Sequence, residues 1–317
     1  MRAPGTARRV MQGVNSVLNF LVLVVIVVLL VFAAYALWDA RQLYQAADSA
    51  NYAVYKPTEQ NKGKTFKELQ ALNPEVFAWL TVFGTHIDYP VVQGHDNMKY
   101  VNTNAEGLYS LTGAIFLDCG NSRDFSDFNS LLYGHHMEKK AMFGEIGSFA
   151  RKQVFDTCRY GNLYFDGNDH GLEFFAFVHT DAYDQALFSA KVKGAEAQQD
   201  YLSDLLAKAL YTRSISVLAE DRFILLATCS SSTTNGRDIL VGRISDEVFK
   251  DTLQESAVAG GAELLSTGKN CGPDAQALLL TPLLIGFLTI FLTVGTLVHI
   301  SLKERKRQEQ TGHEDDE

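Results

Sequence analysis

Two stretches of this chain lack charge for longer than a buried helix of a globular domain requires. Val17 to Leu37 is 21 residues whose sole ionisable side chain is Tyr35, and Ala277 to Val298 is 22 with none. At 1.5 Å per helical residue, each crosses a hydrocarbon core of roughly 30 Å. The first exceeds the apolar core of a secretory signal, so it reads as an uncleaved anchor despite the small residues at Ala33-Ala34-Tyr35-Ala36. Arg2, Arg8 and Arg9 precede it, and Lys303, Arg305, Lys306 and Arg307 follow the second. Lys and Arg mark the cytoplasmic flanks of spans, so both termini are expected inside and Trp38 to Gln276 outside.

The chain of 317 residues is thus expected to hold a cytoplasmic tail (1–16), a span (17–37), a helical stalk (38–64), an extracellular domain (65–250), a linker (251–276), a second span (277–298) and a cytoplasmic tail (299–317). The formal charge is −9; the N-terminal tail carries three positive charges and the C-terminal tail a balance of two negative, leaving −10 on the middle. An acidic middle makes nucleic acid an improbable partner. The 47% apolar content of the whole chain excludes a disordered chain, and four cysteines are too few for a disulfide-dense scaffold. Cys119, Cys158, Cys229 and Cys271 allow two bridges on paper, in three connectivities that spacing does not separate.

Within the stalk a helix is expected over Ala40 to Tyr52. Beyond Thr65, Phe66, Leu69 and Leu72 fall at helical spacing and stop at Asn73-Pro74, because a residue before proline avoids the helical region. Eight short apolar runs then read as strands: Ala78–Val82, Tyr89–Val92, Ala114–Leu117, Ser130–Tyr133, Asn162–Phe165, Leu172–His179, Arg222–Ala227 and Asp238–Ile244. Lys191 to Leu210 reads as a helix inserted between the sixth and seventh. Ser245-Asp246-Glu247 looks like a capped start of another, reaching about Ser256. The expected fold is mostly β, a closed or nearly closed barrel of about eight strands with inserted and N-terminal helices.

Chemistry gathers at strand ends. Leu225-Leu226-Ala227-Thr228-Cys229-Ser230 places a cysteine just past an apolar strand, where it is either a presented nucleophile or a buried structural thiol. A cysteine nucleophile needs a proton partner, and His135 and His136 follow another apolar strand, just after Gly134. Arg237 opens the strand after Cys229, where a guanidinium can hold developing negative charge. Arg243 has the same facing in a regular strand, so periodicity does not separate the two.

Together these residues resemble the sortases, membrane-anchored cysteine transpeptidases of Gram-positive surfaces. The family's Thr-Leu-x-Thr-Cys signature matches at Leu226, Thr228 and Cys229, with Leu225 where threonine is usual. Arg-x-x-x-Val matches Arg237 to Val241, which selects Arg237 over Arg243, and Tyr-Gly-His matches Tyr133 to His135, which selects His135 over His136. Asn73 to Val76, Trp79, Gly84 to Gly94, Phe116 to Asp118, Met142 to Gly144 and the inserted helix look like the class B branch.

The resemblance implies an eight-stranded sortase-type barrel, here flanked by two transmembrane helices. It implies that Cys229 attacks the Thr–Gly or Thr–Asn bond of a C-terminal sorting signal on a surface protein, giving a thioacyl enzyme. The amine of a cell-wall precursor or a pilin lysine would resolve it. His135 would serve as general acid/base and Arg237 as oxyanion stabiliser, while Asn97, Val101, Ala227, Thr228 and Ser230 match groove positions. A C-terminal span is more typical of pilin-polymerising sortases than of class B, yet the Asp-Pro-aromatic lid of those enzymes has no counterpart here. Leu225 is expected to alter packing rather than chemistry.

No cofactor and no metal is expected. His86 and His95 with Asp88 and Asp96 read as polar strand edges, and Asp118, Asp124 and Asp127 lack the calcium-loop spacing. Cys119 and Cys158 read as structural or free thiols, and Phe174, Phe175 and Phe177 as barrel core.

Overall fold

The computed structural model describes residues 5–58, 63–215, 217–218, 220–230 and 235–253. The expected second span, the C-terminal tail and nearly all of the linker lie outside the described residues.

Helix α1 (Gly5–Ala46) carries the first apolar stretch and is the one helix among the described residues long and apolar enough to cross a membrane. It continues unbroken into the expected stalk. The helix read over Ala40 to Tyr52 is instead the end of α1 followed by a 3-10 segment, Ser49–Tyr55. The break falls at Asp48, whose side chain accepts from the Ala50 amide at 3.0 Å, so local capping competes with helix propagation. Ala47 and Tyr52 are buried against the barrel. Helix α2 (Lys64–Leu72) buries Phe66 and Leu69 and ends where Asn73-Pro74 was expected to stop it.

The strands are β1 (Val76–Val82), β2 (Asp88–Val92), β3 (Ile115–Leu117), β4 (Asn129–Tyr133), β5 (Tyr160–Phe165), β6 (Asn168–Asp181), β7 (Ala209–Thr212), β8 (Phe223–Cys229) and β9 (Gly236–Ser245). Their order is β5-β1-β2-β3-β4-β8-β9-β6-β7, and β6 pairs back onto β5. That closes a ring of eight strands, with β7 attached outside the ring on β6. Strand β6 makes this possible by its 14-residue length: its start pairs with β5, its far end with β7, and its other edge with β9. The pairs β2–β3 and β4–β8 are parallel.

All eight expected strands are present. The ninth, β7, was hidden inside the expected helix: after the short α3 (Lys152–Thr157), α4 spans Ala195–Lys208, and Ala209 leaves it directly for the sheet. The helix expected after Ile244 is also absent over residues 246–251; the ring of Phe249 stacks on Tyr160 at 4.2 Å instead.

Strand β8 shows why its run is apolar throughout. Ile224 and Leu226 belong to the larger core cluster with Leu80, Leu132, Phe174 and Phe177. Phe223, Leu225 and Ala227 point the other way, into a second cluster with Phe175 on β6 and Leu202 and Leu205 on α4. Both faces are covered, so both alternating sets are apolar. Leu225 accordingly packs under α4, and burying such a side chain stabilises by about 1.5–3 kcal/mol. Phe174 and Phe177 of β6 lie in the barrel core as expected, whereas Phe175 is buried on the other face, in the second cluster.

Candidate active site

The parallel pairing of β4 with β8 sets Tyr133 opposite Ala227. Two further bonds carry this register past that last pair. The Gly134 amide donates to the Ala227 carbonyl at 3.3 Å, and the Thr228 hydroxyl donates to the Gly134 carbonyl at 2.8 Å. His135 and Cys229, each two residues beyond that last pair, therefore lie at the same rim of the sheet. Gly134 is required there: a Cβ would lie 2.5 Å from Ile115 and 2.8 Å from the Phe143 ring. The antiparallel partner of Cys229 on β9 is Arg237 itself. These two registers, meeting on β8, thus deliver all three expected catalytic residues to one place.

They line a groove of about 380 Å³ together with Asn97, Val101, Ala227 and Thr228. Phe116, Tyr133, Gly134, Ala182 and Phe188 complete the lining, which does not include Ser230 or His136. The Ser230 amide instead donates to the Gly236 carbonyl at 2.8 Å. Cys229 is an exposed free thiol; Cys119 is exposed and Cys158 buried, both also free. Among the described residues the Arg237 guanidinium donates to backbone carbonyls, Gly236 at 3.0 Å and Asn235 at 3.5 Å.

The imidazole of His135 has one partner that fixes its tautomer. Nε2 lies 2.8 Å from the Val101 carbonyl, which can only accept, so Nε2 carries the hydrogen. Nδ1 is then the nitrogen left with a lone pair. A second arrangement supports the groove from below. Asp118 accepts from Asn97 Nδ2 at 2.8 Å and from the Tyr133 hydroxyl at 3.1 Å, while Asn97 Oδ1 takes the Cys119 amide at 2.7 Å. Burial and the nearby Asp118 carboxylate raise the Tyr133 phenol, which keeps it a donor.

Asp118, Phe116, Tyr133, Ala182 and Phe188 carried no assigned role in the sequence reading. Phe116 and Asp118 stand within the Phe116–Asp118 motif, and Tyr133 within Tyr133–His135. Ala182 and Phe188 come from the segment after β6, and nothing in their spacing signals the groove.

His86, Asp88, His95 and Asp96 each have a protein partner. Asp88 accepts from Trp79 Nε1, Thr81 Oγ1 and Lys56 Nζ, each at 2.8 Å. His86 pairs with Glu145 at 3.0 Å and His95 with its neighbour Asp96 at 2.9 Å. Among the described residues no three His, Cys, Asp or Glu side chains come together in a metal-binding group.

No protein-family model matches the sequence. A curated sortase B from Listeria monocytogenes is 30% identical over 181 residues, covering 56% of this chain and 73% of that protein. Among solved structures, the sortase B from the type II pilus of Streptococcus pneumoniae is 46% identical, covers 57% of this chain and 99% of its own, and superposes with a TM-score of 0.51. A Streptococcus pyogenes class B sortase involved in pilus biogenesis is 40% identical over 58% of this chain and 100% of its own, with a TM-score of 0.54. Likeness of this extent in sequence and barrel means that the chain belongs to the sortase family, closest to its class B members, and is a sortase-type cysteine transpeptidase.

Proposed function

We propose that this enzyme is held in the membrane by α1 and by the second apolar stretch, with its barrel outside the cell. There it cleaves C-terminal sorting signals through a thioacyl intermediate on Cys229. The observation that carries the reading is the single groove lined by Cys229, His135 and Arg237.

In the first half-reaction His135 Nδ1 takes the thiol proton, and Cys229 Sγ forms a bond to the carbonyl carbon of the signal's threonine. The carbonyl π electrons move onto oxygen, where the Arg237 guanidinium stabilises them. Collapse of the adduct breaks the C–N bond, and the imidazolium gives its proton to the departing amine. In the second half-reaction an incoming amine attacks the thioester, His135 takes its proton, and the Cys229 thiolate leaves. Val101 holds Nε2–H throughout, leaving one nitrogen to do the exchange. Every step uses groups of the chain itself.

The enzymes at 46% and 40% identity are both described as pilus-associated. That supports a pilin lysine as the acceptor here, with a cell-wall precursor amine as the alternative. The test is mass spectrometry of the full chain with Leu-Pro-x-Thr-Gly and Asn-Pro-x-Thr-x peptides and a set of amines. An adduct confined to Cys229 and passed to an amine is expected. An adduct that is only ever hydrolysed would overturn the transfer reading.

A further inference from the structure

We propose that Tyr89 is a positioning residue for His135, and that through it the end of α1 is a working part of the active site as well as a tether. This rests on the reading of His135 as the acid/base. Tyr89 stands on β2 with 2% of its surface exposed. Its hydroxyl donates to the carbonyl of Ala47, the residue following α1, at 2.8 Å, and accepts from the Met142 amide at 3.0 Å. Met142 forms a bridge with His136, and the next amide, that of Phe143, donates to the His135 carbonyl at 3.1 Å. An unbroken series of hydrogen bonds and bridge pairing thus runs from the root of the membrane-proximal helix to the histidine.

The loop between has need of such support. Lys139, Lys140 and Met142 adopt φ of +56°, +65° and +51°, a region disfavoured for any residue with a Cβ. A second contact ties the same loop to α1: the Lys139 ammonium lies 4.3 Å from the centre of the Tyr44 ring. Burial pushes the Tyr89 phenol up to about 12, so it remains a donor at any working pH. Phe143 also closes over Gly134, which joins the loop to the strand that aims His135. Moving Met142 and Phe143 would therefore move both anchors of the histidine backbone.

The test uses the full chain in detergent micelles, with iodoacetamide as the probe and alkylation of the Cys229 peptide followed across pH. Tyr89→Phe keeps the ring and removes both hydrogen bonds. Its alkylation profile is expected to shift by about 0.5 pH unit toward that of His135→Ala, an about threefold change in thiolate at fixed pH. Amide hydrogen exchange should quicken at Met142 and Phe143. Lys139→Met, a change at an exposed side chain, should shift the profile in the same direction by less, and stands in if Tyr89→Phe fails to fold. A wild-type profile in the folded variants, with His135→Ala still shifted, would overturn this proposal and spare the role of His135. A wild-type profile in His135→Ala itself would overturn both.

Discussion

The two ends of β9 each present an arginine on the same side of the strand, and their surroundings differ in kind. At the far end Arg243 donates to Glu173 at 2.9 Å, and the same buried carboxylate takes Arg159 at 2.6 Å. Asp221 stands 3.9 Å away as a further counter-charge. At the near end the partners of Arg237 among the described residues are neutral carbonyls of its own turn. A carboxylate cancels a guanidinium, whereas a carbonyl orients it and leaves its charge available to a ligand. Sequence periodicity gave the two residues equal claim; their partners do not.

The sharpest way to break this contrast is Arg237→Ala. Loss of an oxyanion donor is expected to lower kcat by about 10²–10³. The melting temperature should barely move, since no ion pair among the described residues is lost. Peptide turnover and thermal unfolding measured on one preparation would check both halves. Arg237→Lys should recover part of the rate, because a point charge replaces a planar fork. If the alanine variant turned over normally, the near end would be no more catalytic than the far one.

The converse change is Glu173→Gln at the far end, which leaves two guanidinium groups without their shared carboxylate. A loss of about 1–2 kcal/mol in unfolding free energy is expected, discounted because both arginines are partly exposed. Turnover should stay within about twofold, since the site is at the other end of the strand. Urea unfolding with parallel kinetics would show it.

A smaller effect is expected at Glu75, just before β1, where the carboxylate pairs with Lys99 at 2.7 Å. Burial pushes its carboxyl up, but hydrogen bonds from Lys99 and Tyr100 outweigh that and hold it below its ordinary value of 4.5. A depressed carboxyl stabilises the fold above its unfolded pKa and loses that contribution as pH falls through the lower folded value. Glu75→Gln should therefore destabilise slightly at pH 7, and the gap from the parent should close as pH falls below 4.5. A gap that stayed constant would place the effect in packing.

What was legible in the sequence follows from what local pattern encodes. The eight barrel strands announced themselves as short apolar runs with turn residues near most boundaries. Strand β7 did not, because Lys208 passes to Ala209 with no breaker between helix and strand. The expected helix after Ser245 failed for a tertiary reason: Phe249 finds Tyr160, and a good capping sequence does not outweigh that stack. The expected catalytic trio was legible through motif order, since each member stands beside an apolar strand. Strand order was not, and with it went the aromatic floor of Phe116, Tyr133 and Phe188. Those residues meet only because β3 and β4 are neighbours and the segment after β6 folds back over them.

The parallel pairing of β4 with β8 also carries a meaning for time. His135 and Cys229 are 94 residues apart, and their strands become neighbours only after β5, β6, β7 and α4 have been made. Long-range pairing of this kind is slow to form and is completed late. A chain emerging N-terminus first thus exposes its histidine long before its thiol, and its thiol before the arginine strand that pairs with it. The groove forms only when nearly the whole domain is out, so an unfinished chain is kept from premature acyl transfer by topology alone.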